Sequence, residues 1–159
     1  MPDIKPYRNI LAVVDLDRND EAVVHQAQML ARACGAQLGL LHIAEIESSS
    51  DDGAPALTPC QAALAYEAIV MQRLQALAVR EGLTEAQCHA RCGNAALSFK
   101  TFAASWQPDL LITARRAQHL ANGPWDVLVL KPVQGHWLAR LKSWFGYRPA
   151  TLSVTPSTA

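Results

Sequence analysis

Between Asn9 and Leu130 the chain alternates short apolar runs with longer stretches of helical periodicity, and this alternation limits its possible folds more than any other feature. The run Asn9 to Val14 (NILAVV) has no polar face, as expected of a strand buried on both sides in a parallel sheet. Asp17, Arg18, Asn19, Asp20 and Glu21 then supply the capping oxygens and early acids of a helix start. Val23, Val24, Ala27, Leu30, Ala31 and Cys34 recur at helical spacing, and Gly35 is placed to end that helix. Leu38 to Ala44 is the second strand, completing a strand–helix–strand unit whose crossover should be right-handed.

From Glu45 to Pro59 the composition turns to loop, with Ser48-Ser49-Ser50-Asp51-Asp52-Gly53 ahead of Pro55. Thr58-Pro59 opens a long helix reaching about Glu81, stopped by Gly82. Leu64, Ile69, Val70, Leu74, Leu77 and Ala78 are expected on its inner side. Gln87 to Cys92 is a third strand whose polar residues suit an edge position. Asn94 can cap a helix from Ala95 to Trp106, with Leu97, Phe102, Ala103 and Trp106 facing inward. Leu110 to Thr113 and Val127 to Leu130 are the fourth and fifth strands. Strict alternation of this kind predicts an α/β fold with a mostly parallel sheet and helices on both faces.

The last connection breaks the pattern. A parallel crossover normally needs a dozen or more residues and usually a helix, but Arg115 to Pro124 is short and ends in the turn signal Asn122-Gly123-Pro124. A glycine-rich phosphate cradle, in which backbone N–H groups converge at a helix start, has no counterpart in this stretch. Three routes to the fifth strand remain open: a stretched crossover with at most one helical turn, an antiparallel strand, or exchange with a partner subunit.

Composition excludes several classes of function. Fourteen basic and fourteen acidic residues cancel, so no global field steers the chain to nucleic acid. No run of about 18 apolar residues offers a membrane span. The segment Met1 to Arg8 lacks the apolar stretch of a secretory signal, so a cytoplasmic location is expected, with Cys34, Cys60, Cys88 and Cys92 reduced. Cys88-His89-Ala90-Arg91-Cys92 has no second ligand pair, and in a strand Cys88 and Cys92 share one face while His89 points to the other; small buried side chains are expected there, not a metal. His25, His42, His89, His119 and His136 are scattered, and Ser98, Ser105 and Ser143 lack an elbow motif, so no catalytic residues are assigned and no enzyme is expected.

With these segments in order, the chain resembles the universal stress protein family over roughly residues 7–133. The resemblance is carried by Asn9 to Leu16, Ala36 to Ile43, Gly93-Asn94-Ala95-Ala96, Asp109 to Ile112 and Trp125 to Pro132. It implies a three-layer, five-stranded sheet in the order 3-2-1-4-5, and usually a homodimer. Members that bind ATP carry Gly-x-x-Gly, nine residues, then Gly and Ser or Thr after the fourth strand. Here Ala114 stands at the first glycine, and His119 to Asn122 bears nothing like the rest. The chain is thus similar to the universal stress protein A-like subclass that lacks the motif. Asp15 matches the family position that meets the adenosine part of the ligand, and Ile43 lies near one lining the base pocket.

Arg115 and Arg116 follow the fourth strand at the carboxyl edge of the sheet and could hold an anion in place of backbone amides. Asp15, Ile43, Arg115 and Arg116 are therefore the candidate cofactor-binding residues, should ATP, AMP or another anion bind. Each also has a plainer role: helix cap, core residue, solvated basic turn. Asp15 and Asp17 offer too little for a Mg²⁺ site.

Three parts are expected: a domain over residues 1–133, an amphipathic helix over 134–148 and a disordered tail over 149–159. Trp137, Leu138, Leu141, Trp144 and Phe145 share one helical face, suited to covering the vacated sheet face or a dimer contact, and less to a membrane interface. The function expected is a non-enzymatic stress-response or regulatory dimer, paired through strand five and acting on an unidentified protein partner without ATP. The alternatives are a nucleotide sensor and a membrane- or transporter-associated accessory protein.

Overall fold

The computed structural model describes residues 6–17, 20–45, 59–83 and 86–131. Five strands, β1 (Asn9–Val13), β2 (Gln37–Ala44), β3 (Gln87–Cys92), β4 (Leu110–Thr113) and β5 (Asp126–Val129), form one sheet in the order β3-β2-β1-β4-β5. Every neighbouring pair is parallel. Helices α1 (Asp20–Cys34) and α2 (Pro59–Arg80) cover one face; α3 (Ala95–Trp106) and the single turn α4 (Gln118–Ala121) cover the other. This is a three-layer α/β architecture, with the crossover after β4 reduced to one turn.

Alternation along β1 divides the core. Ile10, Ala12 and Val14 join Val23, Val24 and Ala27 of α1 and Val70 and Leu74 of α2. Leu11 points the other way, to Phe99, Phe102 and Ala103 of α3. The helix ends follow local chemistry. Asn94 accepts a hydrogen bond from the Leu97 N–H at 3.0 Å, capping α3. Gly35 and Gly82 take φ of +63° and +69°, the left-handed turn that ends α1 and α2.

Three inward assignments are corrected. Leu64 and Ile69 of α2 and Leu97 of α3 are exposed. Helical spacing locates an apolar stripe only where the opposite side is polar, and α2 carries apolar residues nearly all round. Its buried stripe is Val70, Leu74, Leu77 and Ala78. In α3 Phe99, not Leu97, fills the core beside Phe102.

The link from β4 to β5 is closed by Trp125. Its indole N–H donates to the Leu120 carbonyl at 2.7 Å, and its ring meets Phe99 edge-on with centroids 5.5 Å apart. Leu120 is buried beneath it. These side chains stand over sheet that a full crossover helix would otherwise cover, and β5 stays parallel and within the chain. At the amino ends of β1 and β4 Asp109 Oδ2 accepts from the backbone N–H groups of Arg8 (2.7 Å) and Asn9 (2.9 Å). The Tyr7 hydroxyl donates to Asp126 at 2.8 Å, a contact that raises the tyrosine's pKa. The segment 134–148, the tail beyond it and most of the loop before Pro59 lie outside the described residues.

Candidate functional site

In a sheet of this order the strands diverge in connection on either side of β1, and the crevice beyond the carboxyl ends of β1 and β4 is where such folds bind ligands. Register determines what meets there. Val13 sits beside Leu41 of β2 and Thr113 of β4. Two residues further on, Ile43, Asp15 and Arg115 therefore stand at one level across three neighbouring chain segments. Arg115 and Asp15 make contact, Nε to Oδ2 at 3.4 Å.

Thr113 prepares that contact. It is buried at the end of β4, and its hydroxyl accepts from the Arg115 N–H at 3.1 Å, bending the chain back toward β1. On the other side Leu16 has φ of +61°, a costly conformation for a leucine. Asp20 holds the turn: Oδ1 accepts from the Asp15 N–H at 3.1 Å and Oδ2 from the Asp17 N–H at 2.8 Å. Burial pushes the Asp20 carboxyl above its ordinary pKa, against the lowering effect of those two bonds. Two backbone donors that face ligand in an anion-binding loop are thus turned onto a side chain of the chain itself.

His42 stands on the α1–α2 side of β2, with Nδ1 2.8 Å from the Val14 carbonyl. A carbonyl only accepts, so Nδ1 carries the proton. Ile43 lies on the α3 side, partly buried with Val13. Arg116 is exposed and makes no ion pair among the described residues. The structure therefore unites Asp15 with Arg115, sets Ile43 beside them, and leaves Arg116 in solvent. Asp20, which sequence reasoning treated only as helix-start chemistry, is the residue that organises the loop. The signal for it was an acid five positions past Asp15, next to an apolar helix face.

The third strand behaves as its alternation requires. The Cys92 thiol donates to the Ala63 carbonyl of α2 at 3.7 Å, and Cys88 packs against the core on that same side. His89 points the other way, its ring 4.9 Å from that of Phe102. The three cannot converge on one ion. Among the described residues no group of three or more His, Cys, Asp or Glu is arranged to hold a metal. Burial raises both thiol pKa values, favouring neutral thiols over thiolates. No helix among the described residues is long and apolar enough to cross a membrane.

The fold recurs in solved structures. One from the universal stress protein family of Burkholderia pseudomallei matches with a TM-score of 0.58 at 18% identity, over 81% of this chain and 98% of that one. Universal stress protein UspA from Lactobacillus plantarum matches with a TM-score of 0.53 at 22% identity, over 79% and 98%. A universal stress protein in complex with cAMP matches with a TM-score of 0.52 at 18% identity, over 81% and 100%. No curated protein matches the sequence. The model of the universal stress protein family itself matches residues 6–129, most of the chain and all five strands, so this protein belongs to the universal stress protein family.

Proposed function

We propose that this protein is a non-enzymatic stress-response regulator of the subclass without the ATP-binding motif, acting as a homodimer through contacts with a protein partner. The observation that carries this reading is that the polar groups at the crevice are already engaged within the chain: Asp15 by Arg115 in a largely solvent-exposed ion pair, and the Asp15 and Asp17 N–H groups by Asp20. The one-turn α4 sums only a fraction of a helix dipole for a phosphate to use. ATP would have to displace an ion pair and gain few backbone donors in return. Calorimetric titration with Mg-ATP is expected to show no binding below millimolar concentrations. Micromolar binding that Asp15→Ala abolishes would refute the reading. The dimer is proposed through β5, whose outer edge has no partner strand among the described residues. A monomer by light scattering at micromolar concentration contradicts it.

A second reading has a specific observation behind it. Asp15 and Arg115 are an acceptor and a cation held side by side at the switch point, suited to the hydroxyl and phosphate of a compact nucleotide such as AMP, and a universal stress protein of this fold has been solved with cAMP. Titrating AMP and cAMP alongside ATP separates this sensor role from the first. Membrane contact through Trp137 to Phe145 rests on residues outside the described set, and the cytoplasm is the proposed location.

A further inference from the structure

β3 ends the sheet on one side, and its register determines which way its backbone groups point. Ala44 lies opposite Cys92, and the Gly93 N–H donates to the Ala44 carbonyl at 2.9 Å. In a parallel ladder a residue bonds to the two neighbours of its register partner. Ala44 therefore reaches Arg91 and Gly93, and His42 reaches His89 and Arg91. The alternate residues Cys88, Ala90 and Cys92 turn their N–H and C=O groups to the outer edge, where no strand pairs with them among the described residues. A row of that kind is a template for a strand of another chain.

Two of these outward groups are taken by charged side chains, one from each layer. From the α2 side, Glu67 Oε1 accepts from the Cys92 N–H at 3.0 Å. From the α3 side, Arg91 Nη1 donates to the Ala90 carbonyl at 2.7 Å. The Arg91 guanidinium lies 5.5 Å from the centre of the Phe102 ring, a contact that holds the arm in place. Ala90, whose backbone faces the edge, is left only 2% exposed.

Packing alone does not account for either residue. Glu67 continues the spacing of Val70, Leu74 and Leu77, so it stands on the stripe of α2 that otherwise faces the core. An apolar side chain is the ordinary choice at such a position. Arg91 is exposed, and its hydrogen bond goes to the residue before it, joining no two elements. What the two share is the edge. Hydrogen bonds to ionised groups are roughly twice as strong as neutral ones, so an incoming strand offers the Ala90 carbonyl and the Cys92 N–H less than they already have.

We infer that Glu67 and Arg91 seal the β3 edge, so that no strand of another chain adds to the sheet on that side. The seal does not depend on what β5 does. Where β5 pairs with its equivalent, a closed β3 stops the assembly at two chains and prevents an open array.

The test is the double variant Glu67→Ala/Arg91→Ala, compared with the parent chain by sedimentation over a concentration series. With both groups free to bond across an interface, it should self-associate at least ~tenfold more tightly than the parent, on top of any assembly the parent forms. Hydrogen exchange supplies the signature. As concentration rises, the amides of Cys88, Ala90 and Cys92 should slow in the variant, while those of His89 and Arg91, already bonded to β2, should not change. Glu67→Gln keeps an oxygen for the Cys92 N–H and should stay near the parent. Should the double variant fail to fold, Glu67→Ala carries the test alone, since alanine favours the helix and its introduction uncovers no aromatic ring; its association should rise about fivefold. Variants that melt lower but keep the parent's mass overturn the inference, because the two residues are then only ties within the chain. Association without slowing of those three amides overturns it as well, as does equal association of Glu67→Gln and Glu67→Ala.

Discussion

Gly123→Ala, a change of one methyl group, should destabilise the protein through a residue two positions away. A Cβ built on Gly123 falls inside the ring of Trp125, so the indole must move. Its present place is set by the hydrogen bond to the Leu120 carbonyl and the edge-on contact with Phe99. A displaced ring cannot keep both. The hydrogen bond contributes about 1 kcal/mol and the aromatic pair about 1 kcal/mol beyond its buried area, so Gly123→Ala should cost ~2 kcal/mol. Trp125→Ala removes the ring altogether; full burial of an aromatic would put the loss at 3–5 kcal/mol, and partial exposure of Trp125 brings it to ~3 kcal/mol. In the double variant there is no ring to displace, so the alanine at 123 should add almost nothing. Urea unfolding followed by circular dichroism gives all three values, and the cycle should show a coupling of ~2 kcal/mol. Additive losses would refute the account, because they would mean that Gly123 is required by its own backbone and not by the indole.

Two further outcomes follow from side chains described above. Burial, assisted by Arg91, lowers the pKa of His89, whose Nε2 is buried without a hydrogen-bond partner among the described residues. The unfolded chain therefore binds the proton more tightly, and the stability contributed by neutral His89 is full above its unfolded pKa and lost as pH falls through the range below. His89→Phe should flatten that acid slope in melting curves between pH 7 and 5; an unchanged slope would assign it elsewhere. Asp109→Ala leaves the Arg8 and Asn9 N–H groups without their carboxylate and should cost about 1–3 kcal/mol, with faster amide exchange at Asn9 as its local signature.

The sheet was legible because its strands are short, apolar and separated by unambiguous turn chemistry; β3, α3 and β4 begin and end where the residues indicate. Order among the strands came from family resemblance, since alternation alone does not choose it. Helix faces were harder to assign. In α2 apolar residues line both sides, and periodicity cannot tell Ile69, exposed, from Val70, buried. The site was half visible. Asp15 and Arg115 each stood out, but they are a hundred residues apart in sequence, and only the register of β1 against β4 shows that they touch. The bonds of Asp20 to the Asp15 and Asp17 N–H groups were invisible in the same way, because they depend on a left-handed Leu16 that nothing in the residue type announces.

The strand order also bears on how the chain emerges from a ribosome. One side of β1 finds its partner when residues 37–41 appear, but the other side waits for residues 110–113. Until then the strand that will be central in the sheet is an open apolar edge. The first half of the chain can build β3-β2-β1 with α1 and α2 on one face, while Leu11 and Leu41 on the other face lack the cover of Phe99 and Phe102. A nascent intermediate with a free edge and an uncovered face is what invites pairing with the wrong chain. The short link that brings β5 in directly behind β4 then has a kinetic value: once Thr113 has docked, only the stretch to Val129 remains before the sheet is complete.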